Sequence, residues 1–208
     1  MTISKIEPSR HVKGRILLFF ESGECWKATE QEVLAFSLYP GKTLSDEESR
    51  ALERACGRSG AKARAAEMIG RQALSKKELQ KRLVRKGSSE EDAAAAADWL
   101  EDIGALDDEN YARIVARHYA AAGYGPAKVR DELYRRGVPR ELWDAAIEEE
   151  CGDPAAAIER YAAAKLRGKI ADEAALGRVA AGLRRRGFRW EDIKPVLDRL
   201  RGEALWEE

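Results

Sequence analysis

Gly104-Ala105-Leu106-Asp107-Asp108-Glu109-Asn110-Tyr111-Ala112 leads through one helical stretch into Gly125-Pro126-Ala127-Lys128-Val129-Arg130-Asp131-Glu132-Leu133-Tyr134-Arg135-Arg136-Gly137, and this segment decides the fold. Its ending recurs upstream as Leu83-Val84-Arg85-Lys86-Gly87 and downstream as Leu183-Arg184-Arg185-Arg186-Gly187. Gly87, Gly137 and Gly187 stand fifty residues apart, and Glu91, Glu141 and Glu191 keep the same register. Self-similarity at a fixed period is the signature of a tandem array of one supersecondary unit.

From residue 58 onward the chain therefore reads as a mainly α protein. It is a tandem array of three three-helix repeats of about fifty residues each, at 58–104, 105–151 and 152–208. Ser75-Lys76-Lys77-Glu78 and Ser88-Ser89-Glu90-Glu91 cap helices of the first repeat, and Asp107-Asp108 opens the second, because short polar side chains accept hydrogen bonds from the orphan amides of a helix start. Tyr111, Val115, Tyr119 and Ala122 fall on one face. Gly125-Pro126 and Asp153-Pro154 place Pro at a first helical position, and Gly87, Gly137 and Gly187 supply the residue after a helix end. The last helix is expected to stop near Leu200, leaving a short acidic tail with Trp206. Units that contact mainly their neighbours predict an elongated, curved array.

Residues 1–57 differ and form a separate N-terminal module containing a β-hairpin. Ile3 to Glu7 alternates like a strand, Val12 to Glu21 is β-rich, and Ser22-Gly23 turns the chain into Cys25-Trp26-Lys27-Ala28. Thr29-Glu30-Gln31-Glu32 opens a short helix stopped by Pro40-Gly41, and Ser45-Asp46-Glu47-Glu48 opens a connecting helix. Gly57 to Gly60 is expected to break that helix near Cys56.

The 208 residues carry 37 basic and 37 acidic side chains, so the whole molecule is no polycation seeking nucleic acid. The charge is sorted, however, into a basic block around Lys76 to Lys86 and an acidic one from Glu90 to Glu109. Cys25, Cys56 and Cys151, odd in number and far apart, point to reduced thiols and a cytoplasmic protein. The longest apolar run, Ile16 to Phe20, cannot span a bilayer.

Catalytic and metal constellations are missing from the sequence, so neither an enzyme nor a cofactor is expected. His11 and His118 are the only histidines, with His118 read as an edge-of-core residue, and no Cys-x-x-Cys spacing or Gly-x-Ser-x-Gly elbow occurs. Gly41-Lys42-Thr43 ends like a phosphate-binding loop, but Phe36 stands where that loop needs glycine, so it reads as a turn. Capping accounts for Asp107 and Asp108 better than metal binding does. Trp99, Trp143 and Trp190 recur in their units and read as core residues.

Singly, each cation at a helix C-terminus is a solvated complement to the macrodipole. Recurrence changes the weighing. Arg85, Lys86, Arg135, Arg136, Arg185 and Arg186, with Arg189, form a repeated row that suits a periodic partner: a nucleic acid or a helical protein filament with acidic patches.

The segment from Gly104 to Ala112 resembles the signature Gly-x-Leu-Asp-Asp-x-x-(Phe or Tyr)-Ala of the RecX family, bacterial regulators of the RecA recombinase. Gly125 to Leu133 with Arg135-Arg136-Gly137-Val138 is similar to the family's second signature, and Ser75-Lys76-Lys77-Glu78-Leu79 to its first-repeat segment. Gln72 and Leu74 depart from the arginines that usually precede that serine. The resemblance implies a non-catalytic monomer that lodges in the groove of the RecA filament on single-stranded DNA, alters its stability, and inhibits ATP hydrolysis and strand exchange. Lys76, Lys77, Lys81, Lys128 and Arg130, together with the repeated cations, are then the candidates to face filament or DNA. The rival reading is a helical protein that binds DNA directly and competes for the strand; weak direct DNA contact is compatible with both.

Overall fold

The computed structural model describes residues 1–167 and 172–206, with side chains as far as residue 202. The chain forms two compact units, Met1–Leu106 and Asp107–Glu208.

The first unit opens with an antiparallel three-stranded meander, β1 (Ile3–Pro8), β2 (Ile16–Phe20) and β3 (Cys25–Ala28), in the order β1-β2-β3. Alternation buries Leu18 and Phe20 with Ile3 and Ala28 against Leu38, Leu44 and Leu52. Helix α1 (Glu30–Ala35) is closed by the full capping box between Thr29 and Glu32. It ends well before Pro40, because Ser37 takes a left-handed φ of 47° and turns the chain away. Helix α2 (Asp46–Arg71) starts on the Ser45–Glu48 box as expected but runs unbroken through Gly57 and Gly60, so the expected break does not occur and residue 57 lies inside a helix. Each such glycine costs about 1 kcal/mol of helix propensity, and packing outweighs that here. The buried Arg15 guanidinium donates to Ser59 Oγ and to the Ser59 carbonyl, at 2.7 and 2.6 Å. A Cβ on Gly57 would lie 2.8 Å from Asp92 Oδ2. The first half of α2 thus covers the sheet, while Ala61 and Ala65 in its second half pack with Leu79 and Leu83 of α3 (Lys76–Arg85) and Ala93, Ala96, Ala97 and Leu100 of α4 (Glu90–Asp102).

The second unit holds two three-helix repeats. One consists of α5 (Asp108–Ala121), α6 (Pro126–Arg135) and α7 (Trp143–Cys151), the last preceded by a single 3-10 turn, Arg140–Leu142. The other consists of α8 (Pro154–Leu166), α9 (Glu173–Arg185) and α10 (Trp190–Trp206); α10 continues past Leu200, so the expected tail up to Trp206 is helical backbone. The fifty-residue register is visible in the cores. Leu83, Leu133 and Leu183 are each 0% exposed, and Leu79, Val129 and Val179 line the same helix face one turn earlier. The glycine after each of these helices has positive φ, 87°, 70° and 87°, which returns the chain for the next helix at no Cβ penalty.

The tryptophans do not share one role. Trp99 is partly buried with Lys62 Nζ 5.1 Å above its ring, and Trp143 donates from Nε1 to the Val138 carbonyl at 3.0 Å, whereas Trp190 is 52% exposed and is no core residue. His118 is likewise exposed, edge-on to Tyr119. Cys25, Cys56 and Cys151 are free thiols.

Candidate interaction surface

The second helix of each repeat carries most of the candidate cations, and the structure divides them by register. Arg85, Arg135 and Arg185, two residues before the turn glycine, are all exposed. Their backbone ends a helix whose apolar face is committed to the core, so the side chains extend into solvent beside the last carbonyls. Arg135 also reaches Glu132 Oε1 at 3.0 Å while remaining 69% exposed.

One residue later the picture changes. Arg136 donates to Tyr111 Oη at 3.1 Å, and the Arg186 guanidinium lies 5.0 Å above the ring of Tyr161, which stands fifty residues after Tyr111. The first repeat has Ala61 in that place, fully buried, and Lys86 is exposed. Arg136 and Arg186 are therefore tied into their own repeats by a tyrosine, and only Lys86 of this set extends outward.

Arg186 does more. It also lies 5.1 Å above Tyr124 and donates to the carbonyls of Ala122 and Gly123 at 3.0 and 3.1 Å, at the C-terminus of α5. Beside it, Gly125 N donates to the Arg186 carbonyl at 2.8 Å and Ala127 N to the Gly187 carbonyl at 3.2 Å. The first amides of α6, which have no side-chain cap, are thus satisfied by the end of α9. A Cβ on Gly125 would collide with the Gly187 backbone, and one on Gly187 with the Lys128 amide. The Gly-Pro start of α6 is a seat for the neighbouring repeat.

The remaining candidates separate in the same way. Lys76 is held between Asp98 at 2.7 Å and Glu101 at 2.6 Å on α4, and those bonds raise its pKa, so it is an internal strut. Arg130 reaches Asp144 at 2.9 Å and Lys128 reaches Glu132 at 3.1 Å. Glu132 is buried, 7% exposed; desolvation pushes its pKa up, but bonds from Lys128 and Tyr119 and the charge of Arg135 win and hold it below the ordinary carboxylate range. Lys77, Lys81 and Arg189 are exposed, with no ion pair among the described residues. Across α5 and α7, Arg117 forms a fork to Glu150 at 2.8 and 2.6 Å, and Arg113 bonds Glu149 and Glu109. Sequence reading missed Glu132, Tyr161 and the Gly125 seat, although the recurrence of Tyr111 and Tyr161 with Arg136 and Arg186 was the available signal.

Serial three-helix repeats with cations at the end of each second helix define an α-helical repeat protein. The chain belongs to the RecX family of regulatory proteins. It is 31% identical over 134 residues to a regulatory protein RecX of Pseudomonas entomophila (strain L48), a match covering 64% of this chain and 86% of the relative. A model of the RecX second three-helix domain matches residues 107–147. Identity reaches 39% over 90 residues with the RecX of Xanthomonas axonopodis pv. citri (strain 306), where the match spans 43% of this chain and only 56% of the relative's length. Two solved structures share the fold: a regulatory protein RecX at TM-score 0.71 and 22% identity, covering 95% of this chain and 98% of that one, and RecX from Lactobacillus salivarius at TM-score 0.64 and 17% identity, covering 69% and 96%. Among the described residues no helix is long and apolar enough to cross a membrane.

Proposed function

We infer that this protein is a negative regulator of the RecA recombinase that binds in the groove of the RecA filament on single-stranded DNA and alters its stability, ATP hydrolysis and strand exchange. It acts as a monomer in the cytoplasm and without catalysis of its own. The observation that carries this reading, beside membership of a regulatory family, is the exposure of Arg85, Arg135 and Arg185 at one register of three repeats, where only Arg135 meets an internal carboxylate and still stays 69% exposed. Lys77, Lys81, Lys86 and Arg189 extend the same charge, whereas Lys76, Arg136 and Arg186 contribute through folding. A repeated cation suits a partner that repeats an acidic surface. The test is co-sedimentation with RecA on oligothymidylate: the triple variant Arg85→Glu, Arg135→Glu, Arg185→Glu keeps its helicity and loses filament binding. Unchanged binding by the triple variant would refute this assignment of the interface.

One observation favours direct DNA binding as a second reading. Tyr134 is 74% exposed beside Arg135 and edge-on to Trp143 at 6.4 Å between ring centroids, an aromatic and cationic face of the kind that stacks bases. Tight, steeply salt-dependent binding to oligothymidylate without RecA, lost in Tyr134→Ala, would favour it.

A further inference from the structure

In the middle repeat the cations of the second helix have an internal counterion. Lys128 and Arg135 both reach Glu132, at 3.1 and 3.0 Å, from one turn before and one turn after it on α6. Fifty residues on, Lys128 becomes Arg178, Arg135 becomes Arg185, and Glu132 becomes Gly182. The cations persist and the acid is gone. No other acid can take its place from that position, because a Cβ on Gly182 would collide with the hydroxyl of Tyr161, which fills the space.

Arg178 and Arg185 instead border a cleft of about 220 Å³, joined there by Lys165 of α8, whose Nζ lies 5.8 Å from the ring centre of Tyr161. No carboxylate lines this cleft among the described residues, and Lys165, Arg178 and Arg185 make no ion pair there. Asp172 at the near end of α9 is spent on the Ala175 amide, to which it is bonded at 2.6 Å. Three cations around an aromatic wall repel one another and leave their donors to solvent, an arrangement that a bound anion relieves. The first repeat shows the compensated form again with the signs exchanged, Glu78 holding Arg82 at 2.7 Å.

We propose that the cleft between α8 and α9 is a recognition site for an acidic side chain of a partner protein, whose carboxylate takes the part that Glu132 plays within the middle repeat. The guanidinium forks of Arg178 and Arg185 match a carboxylate in geometry, and the cleft is of side-chain size. The proposal deepens the filament reading by placing one acidic contact of the partner in the third repeat, and it rests on that reading only for the partner's identity.

The test needs no recombinase, so its failure is separable from failure of filament binding. Full-length protein labelled with ¹⁵N is titrated with tetraglutamate, and separately with tetrathymidylate, at moderate salt. Tetraglutamate is expected to give saturable shifts centred on Arg178, Arg185 and the Tyr161 neighbourhood. The double variant Arg178→Gln, Arg185→Gln, with an unchanged helical circular-dichroism spectrum, weakens that binding about tenfold or more. Arg113→Gln, which removes a cation of the middle repeat already engaged by Glu149 at 2.8 Å, changes it less than about twofold. Absence of saturable shifts, equal affinity in the double variant, or tighter binding of tetrathymidylate in the same cleft would overturn the proposal.

Discussion

Two adjacent arginines, Arg185 and Arg186, end the same helix and do different things, which is the clearest statement of how this surface is built. Arg185→Ala is expected to change stability by less than about 0.5 kcal/mol, as exposed substitutions do. Arg186→Ala is expected to cost about 1 to 2 kcal/mol, because it uncovers two carbonyls and two aromatic faces; urea unfolding midpoints measure both. Glu132 adds a pH dependence. Its folded pKa lies below the unfolded one, so its stabilisation is present above the unfolded value and is lost as pH falls through the folded value. Glu132→Gln is therefore expected to cost about 1 kcal/mol at pH 7, allowing for the solvated partners, with the difference shrinking below about pH 4. Cys56 is pushed up to about 12 by burial and then by the Glu32 carboxylate, so it stays a thiol at pH 8. Iodoacetamide at that pH is expected to modify exposed Cys25 much faster than Cys56, and equal rates would contradict the packing around Glu32. None of the internal roles of Arg136 and Arg186 could be read locally, because the tyrosines that bind them, Tyr111, Tyr124 and Tyr161, lie outside the helix that each arginine ends. Asp107, Ser75 and Ser89 were legible because each caps a helix within three residues of itself.

At the scale of elements, the turn glycines separate two costs that sequence alone conflates. Gly87 and Gly187 share a φ of 87°, but a Cβ on Gly87 meets nothing within 4 Å while one on Gly187 meets the backbone of Lys128. Gly87→Ala is expected to cost about 1 to 2 kcal/mol for the left-handed conformation, and Gly187→Ala clearly more, since α6 must move away from its seat. Differential unfolding of the two variants checks this, and equal losses would mean that the seat bears no strain. The fifty-residue rhythm made the repeats legible, since a periodic core needs periodic apolar residues: Leu83, Leu133 and Leu183 are the visible part of it. The course of α2 was not legible. Gly57, Ser59 and Gly60 are poor helix formers in isolation, and only Arg15, just before β2, and Asp92 from α4, both distant in sequence, show why the helix continues through them.

For the whole molecule, a net charge of zero conceals cations sorted by register into struts and outward contacts. Lys76 and Arg136 tie helices within a repeat and Arg186 joins two repeats, while Arg85, Arg135 and Arg185 stay exposed and are the proposed contacts to a partner. The family and the repeat architecture followed from motifs spread along much of the chain, whereas the division of labour among cations required coordinates. The proposed regulation along a RecA filament makes a quantitative demand, because a molecule lodged in a groove would affect recombinase subunits beyond those it touches. The most direct measurement is the rate of RecA ATP hydrolysis on single-stranded DNA as this protein is added at substoichiometric amounts. Inhibition by the native protein is expected well before one molecule per recombinase subunit, as is its loss in the Arg85→Glu, Arg135→Glu, Arg185→Glu variant. An unchanged rate with native protein, or equal inhibition by the variant, would contradict it.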